Sequence, residues 1–301
     1  MKISVIIPTY KPDHVFAELL EKLQIQTVQA DRIIIMNTEE QYWGETELPS
    51  NAEVHHLSLQ EFDHGGTRSR AVEICDGDIF ICMTQDAIPV DSRLIEELVK
   101  TLDSNEKIAV AYARQLAGEN SGEIEKFTRV FNYPEESCVK GKEQLDTLGI
   151  KTYFCSNVCA AYKKDIFLGL DGFIRHTIFN EDMLFAAKAV QAGYRIAYAA
   201  DARVYHSHDY TSIQQFHRNF DNGVSQAEHP EYFTGISSES EGMRLVKQTV
   251  RHLFEIGKPG LIFKFCMDCA AKYAGFFLGK RYRKLPEKLV KSFSMNRHYW
   301  E

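Results

Sequence analysis

Five short stretches of this chain place acidic, imidazole or guanidinium groups directly after an apolar run or at the start of a helical one. They are residues 37–40, 64–68, 85–86, 181–182 and the pair His206/His208. The clearest is DIFICMTQDAIP, residues 78–89. Its apolar run, rich in strand formers, stops abruptly at Thr84, Gln85 and Asp86, and Pro89 prevents continuation. A run ended this way reads as a buried parallel strand. Ligands gather beyond the carboxyl ends of such strands in open α/β sheets, so Asp86 is placed to meet a metal or a phosphate. A solvated turn aspartate before a helix is the competing reading. With the strand ends on one edge, the five stretches would supply a carboxylate and an imidazole for a divalent cation, an arginine for phosphate and a second carboxylate as a base.

The elements that must position these groups follow from periodicity. ISVII marks a strand over residues 2–7, ended by Pro8-Thr9-Tyr10. Asp13 can cap a helix whose apolar face is Phe16, Leu19, Leu20 and Leu23, spaced i, i+3, i+4, i+7. Strands follow over 32–36 and 53–57. FDHGGTR (62–68) reads as a glycine turn leading into a helix through about Cys75, and the strand over 78–83 comes next. Asp91 or Ser92 caps a helix with Leu94, Ile95, Leu98, Val99 and Leu102 on one face, and residues 108–113 form another strand. Residues 114–150 read as a loop-and-helix insertion, and 153–162 as a strand returning to the sheet. Asn180-Glu181-Asp182 opens a helix to about Ala192 that Gly193 stops. Short strands are expected at 195–199 and 202–205, and a helix at 212–227. Strands alternating with helical patterns define βαβ units and a largely parallel sheet.

Composition bounds the class. The 301 residues are 44% hydrophobic and 26% charged, which suits one large domain or a domain with an appendage. No apolar stretch reaches the 18 residues of a membrane-spanning helix, and MKISVIIPTY is too short in its apolar part for a signal peptide, so a cytoplasmic protein is expected. Seven cysteines lack a disulfide-framework spacing. Cys155/Cys159 and Cys266/Cys269 have no partner pair at zinc-site distance and read as buried thiols. The net charge of −7 is unevenly divided: residues 244–301 hold 13 Lys and Arg against 4 Asp and Glu, or +9, and the remainder carries −16. In 261–279, Lys264, Asp268 and Lys272 form a narrow polar stripe on an otherwise apolar helix, followed at once by the basic cluster 280–284. Such a helix packs into a core or a dimer, or lies in a membrane interface with its basic end on anionic headgroups.

The motifs VIIPTY (5–10), FDHGGTR (62–68), TQDAIP (84–89), residues 157–162 with Asp171-Gly172-Phe173, NEDM (180–183) and VYHSH (204–208) occur in one order over roughly residues 1–215. Together they resemble the inverting family 2 glycosyltransferases of the GT-A fold. More narrowly they resemble the bacterial rhamnosyltransferases that use dTDP-L-rhamnose, and SMNRHYW (294–300) is similar to the tail of that subgroup. The resemblance implies a GT-A domain over 1–228, with a Rossmann-like, mostly parallel sheet, and a basic helical extension over 229–301. It implies nucleotide contacts at Thr9, Tyr10, Asn37, Glu39, Arg68, Gln85 and Asp86, though Asn37 and Thr38 stand where an acidic pair is common. Asp63, His64 and Glu181 would line the sugar pocket. Asp86 with His206 or His208 would hold Mn²⁺ or Mg²⁺, the imidazole favouring Mn²⁺.

Asp182 matches the catalytic base, which must take the acceptor's proton in a single inverting displacement; it also suits helix capping. The implied reaction moves L-rhamnose from dTDP-β-L-rhamnose to a hydroxyl of a lipid-linked polysaccharide precursor at the inner face of a bacterial cell membrane. An anionic membrane surface or a homodimer is a further expected contact, and no nucleic acid is. Another nucleotide-sugar donor fits the same residues. A catalytically silent nucleotide-sugar-binding assembly protein is the alternative of a different class, and the presence of Asp182 argues against it. A zinc protein using His206, His208 and cysteines lacks ligand spacing.

Overall fold

A computed structural model describes every residue except 45, 209 and 236–238. The chain divides into two compact units, the first made of residues 1–116, 133–176 and 181–206, the second of 117–132, 177–180 and 207–301.

In the first unit the strands are β1 (Ile3–Tyr10), β2 (Arg32–Thr38), β3 (Ala52–Leu57), β4 (Ile79–Met83), β5 (Ile88–Pro89), β6 (Ile108–Leu116), β7 (Cys138–Lys140), β8 (Cys159–Lys163) and β9 (Arg195–Tyr205). They form one sheet in the order β3-β2-β1-β4-β8-β6-β9-β5, with β7 on β9. β1, β2, β3 and β4 pair in parallel, as do β6 and β9, and β8 runs antiparallel between β4 and β6. The carboxyl ends of six strands therefore share one edge. The helices are α1 (His14–Gln24), α2 (His64–Ile74), α3 (Leu94–Asp103), α5 (Leu145–Leu148), α6 (Lys164–Gly169) and α7 (Glu181–Gln191), and the second unit supplies α4 (Glu123–Asn132). Asp13 caps α1 by accepting from the Val15 amide, and Phe16, Leu19, Leu20 and Leu23 are buried as the spacing predicts. Leu94, Ile95, Leu98, Val99 and Leu102 of α3 join the same core. A second cluster stacks Phe80 on Tyr162 at 4.9 Å, with Phe167, Phe173 and Phe185 around them. Phe185 belongs to α7, so this cluster fixes the helix that begins with Glu181 and Asp182.

Several expectations are corrected. β1 continues through Pro8 to Tyr10, because its ladder with β4 ends at Ile6 and the missing amide falls where β2 is the remaining neighbour. Gly65 and Gly66 lie inside the first turn of α2, not in a turn before it. A Cβ on Gly65 would stand 2.0 Å from the Ile174 carbonyl oxygen. Asp91 and Ser92 do not cap α3; Asp91 accepts from the Arg93 amide and pairs with Arg203 at 2.6 Å. Of the expected 153–162 strand only the part from Cys159 onward is extended, in β8; Tyr153 ends a 3₁₀ turn that begins at Gly149, and residues 154–158 form loop and turn. The two short strands over 195–205 are one, β9, in which Ala200, Asp201 and Ala202 bulge out between the pairs Ala113–Ala199 and Arg114–Arg203. The 114–150 segment contains the end of β6 together with α4, β7 and α5.

The second unit is helical: α4, α8 (Ser212–Glu228), α9 (Pro230–Phe233), α10 (Glu239–Glu255), α11 (Leu261–Gly279) and α12 (Glu287–Phe293). Thr211 and Gln214 form a capping box at the start of α8. Ile178, Phe220, Val224 and Val290 make its core, with Phe179, Phe293, Tyr299 and Trp300 packed around them. Cys155 and Cys159 are buried as expected, but Cys266 is exposed because it lies on the outer face of α11.

Candidate active site

Asp182 occupies the second position of α7, and one of its oxygens accepts the Asn157 amide at 2.8 Å while the other accepts the Met183 amide at 2.7 Å. Asn157 is itself fixed three ways. It precedes β8, its Nδ2 donates to Glu181 at 3.0 Å, and its Oδ1 accepts from Tyr162 of the aromatic cluster at 2.6 Å. Glu181 is buried and pairs with buried Arg68 of α2 at 3.1 Å. Arg68 also donates to the His64 carbonyl at 2.9 Å.

These contacts split two adjacent carboxyls. Burial opposes ionisation of Glu181, but the Arg68 guanidinium, with His64 adding to it, outweighs burial and holds Glu181 below the usual carboxylate range. Burial pushes Asp182 up, the ionised Glu181 pushes it further, and its two backbone hydrogen bonds do not compensate. Its carboxyl is raised to about 7. Glu181 is a fixed anion, and Asp182 is a carboxyl that gains and loses a proton near neutrality.

The second cluster lies where β4, β6 and β9 end. His206, just past β9, is buried and its Nε2 stands 3.6 Å from a carboxylate oxygen of Asp86, just past β4. Its Nδ1 lies 3.0 Å from the Gln115 side-chain oxygen near the end of β6. An N–H donated there leaves the Nε2 lone pair toward Asp86. Gln115 in turn donates to Ser156 at 2.9 Å. Ser156 and Asn157 are adjacent, and Thr84 bonds the Val158 carbonyl at 3.1 Å. One polar chain thus runs from Asp86 through His206, Gln115, Ser156 and Asn157 to Asp182, within the first unit.

A divalent ion fits the Asp86–His206 pair. Two ligands bound to one ion at about 2.1 Å stand roughly 3.0–3.4 Å apart, close to the observed gap, and Gln115 supplies the outer hydrogen bond that metal-bound imidazoles make. His208 belongs to the second unit, where it lines a recess of about 420 Å³ with Tyr210, Thr211 and Lys264.

The remaining expected site residues fall at the edges of β1, β2 and α2. Thr9 donates to buried Asn37 at 3.0 Å, and Asn37 spends its amide on the Glu39 carbonyl and His56. Glu39 has a positive φ of 65° and binds the Leu59 amide at 2.6 Å. Gln85 clamps Tyr10, accepting from its amide at 2.8 Å and donating to its carbonyl at 3.2 Å. Tyr10 is exposed, its ring 5.6 Å from that of Tyr42, and the Lys11 ammonium lies over both. Asp63 caps α2 through Gly66 and accepts the His176 amide at 3.0 Å; the His64 ring meets Phe62 edge-on.

Residues 4–169 match glycosyl transferase family 2, and the chain belongs to that family. It is 39% identical over 307 residues to the O-antigen chain rhamnosyltransferase RfbN of Salmonella typhimurium, covering 100% of this chain and 96% of that one. It is 37% identical over 305 residues to the O-antigen chain rhamnosyltransferase WbaN of Salmonella anatum, covering 99% and 95%. Among solved structures it is similar to mannosyltransferase PcManGT from Pyrobaculum calidifontis in complex with GDP-Man and Mn²⁺ (TM-score 0.57, 16% identity, 99% of this chain and 84% of that one). It is also similar to S. aureus TarS 1–349 in complex with UDP-GlcNAc (TM-score 0.51, 18% identity, 98% and 84%). The fold is GT-A and the protein is a glycosyltransferase.

Proposed function

We propose that the protein transfers L-rhamnose from dTDP-β-L-rhamnose to a hydroxyl of a lipid-linked O-antigen precursor, inverting the anomeric centre to an α-linkage. The donor and the acceptor class rest on the full-length likeness to two proteins named O-antigen rhamnosyltransferases. The catalytic assignment rests on one observation: of two neighbouring carboxyls, Asp182 is the one poised to change its proton near pH 7.

In this reading the nucleotide lies over the ends of β1, β2 and β4. Thr9 and Asn37 shape the floor, and the exposed Tyr10 ring offers a face to it. Gln85 holds the Tyr10 backbone in place, and Glu39 tethers the chain beyond β2. Asp86 and His206 would hold a divalent ion, with Mn²⁺ favoured by the mixed nitrogen and oxygen donors. When bound, the ion neutralises the charge that grows on the departing diphosphate. Asp182 takes the acceptor hydroxyl's proton as that oxygen attacks the anomeric carbon from the face opposite the nucleotide. The bond from the carbon to the diphosphate oxygen breaks in the same displacement, so one new bond and one inversion result. Arg68 keeps Glu181 ionised, and Glu181 keeps Asp182 basic enough to accept. Asp63 and His64 stand beside this pair at the start of α2, where the sugar would lie.

The test is a donor screen. Purified protein with Mn²⁺ is offered dTDP-L-rhamnose, GDP-mannose and UDP-GlcNAc, and transfer to a synthetic lipid diphosphate-linked glycan is followed, with the new linkage read by NMR. An α-rhamnoside from the first donor alone is expected. Preferred use of another donor overturns the rhamnose assignment. Transfer by Asp182→Asn within tenfold of the parent overturns the base. Donor binding without turnover for any sugar would leave the silent assembly reading.

A further inference from the structure

α11 is inverted for a helix that faces water. The acid of its polar stripe is turned inward: Asp268 is buried, accepts Ser212 at 2.5 Å and pairs at 3.3 Å with Lys264, whose side chain is 64% exposed. Its apolar side is turned outward. At 100° per residue, Phe263, Met267, Tyr273 and Phe277 fall within an arc of roughly 120°, and they are 77%, 51%, 66% and 40% exposed. The orientation is fixed by glycines. A Cβ on Gly275 would lie 2.2 Å from the Phe216 carbonyl oxygen, and one on Gly279 would lie 2.1 Å from that of Phe220. Gly223 of α8 meets Phe276 in the same way at 2.4 Å. Only the present face of α11 can approach α8 that closely, so the helix cannot rotate to hide its phenylalanines. The exposed stripe runs about 21 Å, from Phe263 to Phe277.

At its end lies a recess of about 630 Å³ walled by Lys280, Arg281, Arg283 and Lys284 with Tyr273 and Phe276. Arg281 stacks 3.6 Å over the Phe277 ring, and Arg283 donates to the Tyr282 hydroxyl. Among the described residues none of these four cations forms a salt bridge, and Glu228, which accepts the Tyr282 hydroxyl at 3.0 Å, is the carboxylate whose field reaches Arg283. An exposed apolar stripe that ends in four exposed cations matches a surface that is apolar below and anionic at its rim.

We propose that α11 lies in the headgroup–acyl boundary of an anionic bilayer, with its phenylalanine face inserted and lipid phosphate held by Lys280, Arg281, Arg283 and Lys284. A second copy of the chain is the weaker occupant. The exposed face of α11 carries no carboxylate, and residues 244–301 hold 13 Lys and Arg against 4 Asp and Glu, so self-packing would leave the cations opposite neutral or basic groups. An anionic membrane neutralises them. The inference adds a location to the proposed reaction and rests on the second unit alone, so it stands whichever sugar is moved.

The experiment is co-sedimentation of the full chain with vesicles of phosphatidylcholine alone or with 30 mol% phosphatidylglycerol. Three proteins are compared: the parent, a variant with Lys280, Arg281, Arg283 and Lys284 all changed to Gln, and a variant with Phe263→Ser and Phe277→Ser. All six positions are at least partly exposed, and matched thermal midpoints verify folding. The parent is expected to bind anionic vesicles far better than neutral ones. The charge variant should lose on the order of a hundredfold of that partitioning, and the serine variant should lose binding to both. Inorganic phosphate at 10 mM should not release the parent. Equal sedimentation of all three proteins, or none by the parent, overturns the proposal. So does a parent dimer in analytical ultracentrifugation that the serine variant dissolves, which would make the face a self-interface. Transfer to a soluble acceptor should be unchanged in both variants, so failure here is separable from failure of the proposed reaction.

Discussion

Arg68 reaches Glu181 at 3.1 Å, and among the described residues no cation pairs with Asp182. In the proposed reaction that asymmetry sets the acid limb. A base raised to about 7 is mostly protonated at pH 6, so kcat/KM should fall about tenfold per unit well below neutrality. Glu181→Gln removes the anion that raises Asp182, and it leaves the Arg68 charge beside it. Both changes favour ionised Asp182, so the inflection should move to lower pH, by at least half a unit in a kcat/KM profile. An unmoved inflection would detach the limb from Asp182. The same raised carboxyl costs stability as pH rises. The folded state binds a proton that the unfolded chain has released between about 4 and 7, so that contribution to stability is lost across this window. Asp182→Asn should therefore gain relative to the parent at pH 8 in thermal melts. The proposed metal site has its own residue-scale test. Gln115→Leu removes the acceptor that orients His206, and Mn²⁺ affinity measured by titration with dTDP present should drop 10–100-fold. The sequence offers Asp86 and His206 as candidate groups beside strand ends and Asp182 as one at a helix start. Gln115, Ser156 and Asn157 were not assigned roles, because their part is to bond across neighbouring strands. That is visible only once Thr84 is known to lie against Val158.

At the level of elements, helices with one clean face were readable. α1 and α3 bury the residues their spacing names, since a 3.6-residue period against a sheet has one solution. Strand limits were not, because pairing decides them. β1 passes Pro8 where one neighbour has ended, and β9 absorbs three extra residues as a bulge. The C-terminal segment was recognised in sequence without a structural role. It now has one. Asp221 of α8 accepts the Met295 and Asn296 amides at 2.9 and 3.0 Å. Tyr299 and Trp300 pack around the cluster that holds Ile178 and Phe179. Phe179 carries a further bond from Ser225 to its carbonyl at 2.8 Å, and Asn180 bonds Asn222 at 2.8 Å. These residues lead directly into Glu181 and Asp182. Ending the chain at Phe293 should loosen that lead and lower kcat at least tenfold. The dTDP affinity, which the proposed reading assigns to β1, β2 and β4, should stay within twofold by calorimetry. Loss of both together would mean that the truncation unfolds the protein instead.

Across the whole molecule, charge is divided along the sequence, +9 in residues 244–301 and −16 in the rest. An anionic surface repels most of the chain and attracts its last fifth, and no helix of the described residues is long and apolar enough to cross a membrane. The attachment proposed for α11 rests on exposed cations and an inserted apolar face, and only the first of these is screened by salt. The Debye length is about 8 Å at 0.15 M and shrinks to roughly half of that at 0.5 M. Transfer to an acceptor carried in anionic vesicles should therefore fall at least tenfold over that range. Transfer to a soluble glycan acceptor should change less than about twofold, because Arg68, Glu181 and His206 are buried, and salt screens buried groups much less. The variant with Lys280, Arg281, Arg283 and Lys284 changed to Gln should begin low on vesicles and stay flat with salt. Equal salt sensitivity on both acceptors would place the ionic contact in donor binding, since the donor is the component that the two assays share.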